Sequence, residues 1–144
     1  MKNVLIINGP NLNMLGIREP ALYGKQDYHA LLALIDEHCK AKGLEHECFQ
    51  HNHEGAIVDK IQEAYGKFDG IVINAAAYTH TSVAIMDAMK TVHIPSVEVH
   101  ITEPNEREDF RHISYVGKAC VHRIAGHGLQ GYLEAIDWLA ENFT

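Results

Sequence analysis

Short strand-like runs, most of them carrying β-branched residues, alternate along this chain with longer stretches whose apolar residues recur at helical spacing, and that alternation restricts the fold more than any other feature. The strand-like runs fall near 4–7, 46–50, 71–74, 96–101 and 119–125. Between the first two, Leu31, Leu32, Leu34, Ile35 and Cys39 follow one helical stripe, with Asp27 placed to cap its start and Gly43 to end it. A second helix is expected over 56–65, stopped at Gly66. A third, over 82–90, is apolar nearly all round through Val83, Ala84, Ile85, Met86, Ala88 and Met89, which predicts burial on more than one side. The last carries Tyr132, Ala135, Ile136, Leu139 and Phe143 on one stripe. Five strands alternating with helices predict a doubly wound five-stranded parallel sheet in three α/β/α layers, a single domain over 1–144.

The runs end in side chains able to do acid-base or carboxylate chemistry. Val4–Ile7 gives way to Asn8-Gly9-Pro10-Asn11, Ile71–Ile73 to Asn74 and then Tyr78-Thr79-His80, and Cys48–Gln50 to His51-Asn52-His53-Glu54. In parallel sheets ligands bind outside the carboxyl ends of the strands, so these segments should converge. Residues 8–26 and 102–112 fit no regular element. Loops of that length in a compact domain commonly serve as lids or binding loops.

Composition narrows the partners. Twelve Lys plus Arg against nineteen Asp plus Glu give a net charge of −7, which argues against a nucleic-acid or anionic-membrane surface. No run approaches the ~18 apolar residues of a membrane span, and the opening residues enter a strand-like run too short for a signal peptide, so a cytoplasmic protein is expected. Cys39, Cys48 and Cys120 are odd in number, lack Cys-x-x-Cys spacing and read as reduced packing residues.

Several motifs have a plainer account than chemistry. Gly126-x-Gly128-x-x-Gly131 matches the dinucleotide fingerprint, but only 13 residues follow Gly131, too few for the strand and acidic residue that cofactor binding needs. Tight strand-to-helix packing explains it better. His51, His53 and Glu54 lack the His-Glu-x-x-His spacing of a zinc helix, and a polar turn in which Asn52, His53 and Glu54 bond the neighbouring loops and cap the second helix is favoured over a metal. A phosphate-receiving or flavin-carrying module would want acidic residues or a phosphate loop where this chain has Asn8 and Asn11. No lysine is placed for a Schiff base, and the Gly-x-Ser-x-Gly elbow of serine hydrolases is missing.

Two groups do suggest catalysis. A tyrosine becomes a usable base only where a cation stabilises its phenolate, and Arg18 lies five residues from Tyr23. Bringing a phenol from its ordinary pKa to neutrality takes about 4 kcal/mol, so Arg107 or Arg111 should assist. Glu98 and His100 are two apart in a strand and share a face. The carboxylate would fix the tautomer of the imidazole and leave its other nitrogen to donate a proton.

The set then resembles a known family. Asn-Gly-Pro-Asn-Leu-Asn-x-Leu-Gly-x-Arg-Glu-Pro-x-x-Tyr-Gly over 8–24, Asn-His-Glu-Gly over 52–55, Ala-Tyr-Thr-His-Thr-Ser over 77–82 and Val-Glu-Val-His-Ile over 97–101 are similar to the type II 3-dehydroquinate dehydratases. Arg107-Glu108-x-Phe110-Arg111-His112 and the glycines before Tyr132 extend the match over nearly the whole chain. The resemblance implies a flavodoxin-like fold and the removal of water from 3-dehydroquinate, without cofactor or metal, to give 3-dehydroshikimate in the shikimate (aromatic amino acid) or quinate pathway. It implies Tyr23 as the base, Arg18 stabilising the developing charge, Asn11 holding the enolate through water, His100 protonating the departing hydroxyl and Glu98 orienting His100. Substrate contacts would fall on Asn74, His80, Arg111 and the Ile101–Thr102 backbone, with Asp87 reaching a neighbouring subunit's site in a homododecamer built as a tetramer of trimers. Thr102 stands where the family usually has serine and Ala75 where it often has proline. A small-anion binding protein of the same fold without turnover is the alternative, and a metal-dependent hydrolase a more distant one.

Overall fold

The computed structural model describes residues 1–17 and 26–143. Five parallel strands, β1 (Asn3–Asn8), β2 (Glu45–Gln50), β3 (Gly70–Asn74), β4 (Ser96–His100) and β5 (His122–Ala125), form one sheet in the order β2-β1-β3-β4-β5. That is the flavodoxin-like strand order, whose winding reverses between β1 and β3. Four helices cover it: α1 (Tyr28–Ala41), α2 (Glu54–Ala64), α3 (Val83–Val92) and α4 (Gln130–Asn142).

Strand alternation divides the core into two layers. Val4, Ile6, Val72, Val97 and Val99 pack with Leu31, Ile35 and Cys39 of α1 and with Tyr132, Ile136 and Leu139 of α4. Leu5, Ile7, Ile71 and Ile73 face the opposite way, onto Ile57 and Ile61 of α2 and Ile85 and Met89 of α3. The central strands are buried on both faces; β1 and β3 accordingly read as unbroken apolar runs, whereas β4 buries Ser96, Glu98 and His100 on one face.

The helix signals operate as expected at α1, where the Ala30 N–H donates to the Asp27 carboxylate at 2.9 Å and Gly43 leaves the helix at φ +68°. Ser82 caps α3, its hydroxyl accepting from the Ile85 N–H at 2.9 Å. In the 126–131 motif, Gly126 and Gly128 adopt φ +82° and +63°, so backbone conformation rather than the expected tight packing accounts for them, and a Cβ on Gly131 of α4 would meet Ile124 and Val99 at an ordinary contact distance of 3.5 Å.

Four expectations are corrected. The last strand is shorter than 119–125, because Val116–Ala119 forms a 3-10 turn closed by the Cys120 N–H on the Gly117 carbonyl. Residues 102–112 contain two 3-10 turns, Pro104–Glu106 and Asp109–Arg111. Phe143 lies beyond the end of α4, exposed beside Trp138. Helix α3 buries one stripe, Ile85, Ala88, Met89 and Val92, while Val83 is 46% exposed and Met86 half-buried. No helix among the described residues is long and apolar enough to cross a membrane.

Candidate active site

The carboxyl ends of β1, β2 and β3 form a polar row, because Asn8 stands in register with Gln50 on one side and Asn74 on the other. Asn8 is fully buried and Asn74 nearly so, which requires partners. Tyr132 of α4 supplies one to each: its hydroxyl donates to Asn8 Oδ1 at 2.6 Å and accepts from Asn74 Nδ2 at 2.9 Å, while the buried Asn8 Nδ2 has no hydrogen-bond partner among the described residues. Asn74 Oδ1 in turn takes the N–H of Ala76 at 3.1 Å, holding that alanine at the left-handed φ of +52°. Such a φ costs a residue with a Cβ about 1–2 kcal/mol. One amide hydrogen of Asn74 is left for a ligand.

The turn after β1 is tied down from the far side. Gln50 Nε2 donates to the Gly9 carbonyl at 3.0 Å and to Asn52 Oδ1 at 3.1 Å, and Asn52 Oδ1 also accepts the Asn11 N–H at 3.1 Å. Asn11 adopts φ +71°, a conformation asparagine tolerates. Gly9 cannot be replaced here, since a Cβ would lie 2.4 Å from the Ala75 carbonyl oxygen. The 51–54 segment is thus a polar turn, as expected, with the His53 N–H on His51 Nδ1 at 3.0 Å, although no side chain caps α2.

At the end of β4, Glu98 and His100 point to one face and are bonded, His100 Nε2 to Glu98 Oε2 at 2.6 Å. Both are buried. Burial is the largest influence on the Glu98 carboxyl and acts upward. The hydrogen bonds from His100 and Ser114, with the charges of His100 and Arg123, outweigh it and hold the group below its ordinary value. A charged Glu98 can only accept, so Nε2 of His100 carries the proton and Nδ1 is the nitrogen left to serve the cleft.

Beyond His100 the glycine turn takes over the backbone: the Gly126 N–H bonds the His100 carbonyl at 3.2 Å and the Gly128 N–H bonds the Ile101 carbonyl at 3.0 Å. Among the described residues no backbone carbonyl receives the N–H of Ile101 or Thr102, which leaves two donors suited to a carboxylate. His80 donates from Nδ1 to the Ile113 carbonyl at 2.7 Å, so its Nε2 is an acceptor. Burial pushes the His80 pKa down, and the nearby charges of His100 and Arg111 act in the same direction, keeping the ring neutral at pH 7.

These groups meet. Asn11, Asn74, His80, His100, Ile101, Thr102 and Arg111 line one cleft, with Arg107 beside them. Glu98 stands behind His100, on a second polar cavity of about 450 Å³ that Ser114, Gly117 and Arg123 help to line. Asp87 is exposed on α3 and lines neither space. Arg18 and Tyr23 lie outside the described residues. Sequence reasoning missed Ser114, Arg123 and the bond between Asn74 and Tyr132. Arg123 stands opposite Glu98 in the β4–β5 register, which the sequence does not specify, and Ser114 carries no motif of its own.

The family described as dehydroquinase class II matches residues 2–140 of this chain. The chain belongs to that family. Among its relatives, a 3-dehydroquinate dehydratase of Lachnoclostridium phytofermentans is 54% identical over 135 residues, 93% of each chain. One from Caldicellulosiruptor bescii is 51% identical over 142 residues, 98% of each. The crystal structure of a type II dehydroquinase from Butyrivibrio crossotus superposes with a TM-score of 0.95 at 57% identity, covering 96% of this chain and 97% of that one. Class II dehydroquinases thus share this chain's fold at near-full length, which accounts for the strand order and the cleft at the carboxyl ends of β1, β3 and β4.

Proposed function

We propose that this chain, a hydro-lyase of the type II 3-dehydroquinate dehydratase class, works by stepwise elimination through an enolate. The Tyr23 phenolate takes the proton from the carbon beside the ketone, and the electron pair left by that C–H bond forms an enolate stabilised by Arg18 and held through water by Asn11. His100 then delivers a proton from Nδ1 as the C–O bond breaks, so the hydroxyl leaves as water and 3-dehydroshikimate remains. Glu98 keeps His100 in the one orientation that allows this. The substrate carboxylate would rest on the Ile101 and Thr102 N–H groups, its hydroxyls on Asn74, His80 and Arg111.

The observation that carries this reading is the buried 2.6 Å bond between His100 and Glu98 at the edge of a cleft that also gathers Asn11, Asn74, His80 and Arg111. It supplies a directed proton donor beside neutral and cationic donors for a polyhydroxylated acid. Tyr23→Phe tests the base: kcat should fall by at least 100-fold with KM within about threefold, and a mutant near wild-type kcat would reject the assignment.

We further propose assembly as a homododecamer, a tetramer of trimers, in which Asp87 reaches a neighbouring site. The exposed Val83 and half-buried Met86 flanking it on α3 offer apolar area for such a contact. Sedimentation velocity would measure the assembly. A cytoplasmic setting suits the three free cysteines, and with a net charge of −7 the partner is a small acid rather than nucleic acid or membrane.

A further inference from the structure

The chain after Arg111 brings a hydroxyl to the back of the His100–Glu98 pair. Ser114 Oγ lies 2.6 Å from Glu98 Oε2, the same oxygen that His100 Nε2 bonds at 2.6 Å. The Gly117 N–H donates to Ser114 Oγ at 2.8 Å. An ionised carboxylate can only accept, and one lone pair of the hydroxyl is already taken by Gly117, so the serine proton is committed to Glu98.

We propose that Ser114 is a positioning residue for the elimination step, fixing the Glu98 carboxylate so that His100 delivers its proton from Nδ1 alone. The inference rests on the reading of His100 as the acid.

The surroundings leave Ser114 a distinct part. Glu98 Oε1 faces Arg123 Nε of β5 at 3.8 Å, but that guanidinium is shared with Glu103 at 3.1 Å and is half in solvent. The other titratable groups near the carboxylate are His100 on its own strand, the Cys120 thiol and His80, with Arg111 and Lys118 further round the cavity. None of these besides His100 bonds Oε2. Without Ser114, that oxygen would keep one donor in place of two, the carboxylate could turn, and its charged form would lose a stabilising bond. His100 would then be a misdirected acid, while abstraction of the α-proton by Tyr23 would be unaffected.

A purely architectural serine, needed only to hold the turn Val116–Ala119, would slow both steps alike. The two are separated by running the reaction in deuterium oxide and measuring, for each variant of the full-length protein, deuterium gained at the α-carbon of recovered 3-dehydroquinate per molecule of 3-dehydroshikimate formed. Ser114→Ala should lower the dehydration kcat about tenfold, the effect of one hydrogen bond to a charged acceptor, and raise exchange per product by a similar factor. Ser114→Thr, which restores the hydroxyl, should bring both back toward wild type. The ratio does not depend on how much of the protein is folded, and Ser114→Cys, with its weak donor, should fall between if the alanine variant is not recovered. An unchanged ratio in Ser114→Ala or Ser114→Cys would overturn the inference. His100→Ala serves as the reference: if it too leaves the ratio unchanged, the reading of His100 fails and Ser114 with it; if it raises the ratio and Ser114→Ala does not, only the role of Ser114 is lost.

Discussion

Glu98 and His100 sit two residues apart on β4, both buried, with the imidazole Nε2 2.6 Å from a carboxylate oxygen. Strand geometry alone puts them on one face, and the turn Val116–Ala119 packs beside the carboxylate, with Gly117 against Glu98 Oε1.

Glu98→Gln keeps the size of the side chain and removes its charge, so the amide can no longer hold a protonated imidazole. The expected loss in kcat is at least 100-fold with the fold intact, measured by steady-state kinetics alongside circular dichroism.

The same carboxylate makes stability depend on pH. Its folded-state pKa lies below the ordinary 4.5, so its contribution is complete above pH 4.5 and is lost as pH falls through the lower folded-state value. Thermal unfolding of wild type and Glu98→Gln should therefore differ most near neutrality, with the gap in Tm narrowing in acid. A constant gap across the acid range would contradict the linkage.

Tyr132 ties α4 to the ends of β1 and β3. Tyr132→Phe would strand Asn8 Oδ1 and Asn74 Nδ2 in a buried site, a cost of about 1–3 kcal/mol that urea denaturation would detect. Because Asn74 also lines the cleft, KM for 3-dehydroquinate should rise while kcat changes less.

Gly117 leaves no room for a side chain. A Cβ there would come 2.6 Å from Glu98 Oε1 and 2.8 Å from Ser114 Oγ, and Glu98 cannot retreat without breaking its bonds on Oε2. Gly117→Ala should cut kcat tenfold or more and also lower Tm, since the displaced carboxylate loses buried bonds; activity within twofold of wild type would show that the pair is less tightly held.

Much of this was legible in the sequence. The sheet followed from five short strand-like runs, four of them with β-branched residues, and the α1 boundaries from Asp27 and Gly43, because local side-chain chemistry decides both. The pairing of Glu98 with His100 followed from strand periodicity. The bond from Tyr132 to Asn8 spans 124 positions and Arg123 meets Glu98 through inter-strand register, neither of which local pattern encodes. The sequence predicts the last strand over 119–125, yet Val116–Ala119 is a 3-10 turn that covers Glu98 and the strand begins only at His122. Likewise the apolar surround of α3 predicted burial that a single copy of the chain does not supply.

The most direct measurement is ultraviolet absorbance after adding 3-dehydroquinate to EDTA-treated protein, since dehydration creates a conjugated enone that the substrate lacks. The account predicts a steady rise at the untreated rate, abolished in Tyr23→Phe and His100→Ala. A flat trace from folded protein, or a rise that the two variants leave intact, would contradict it.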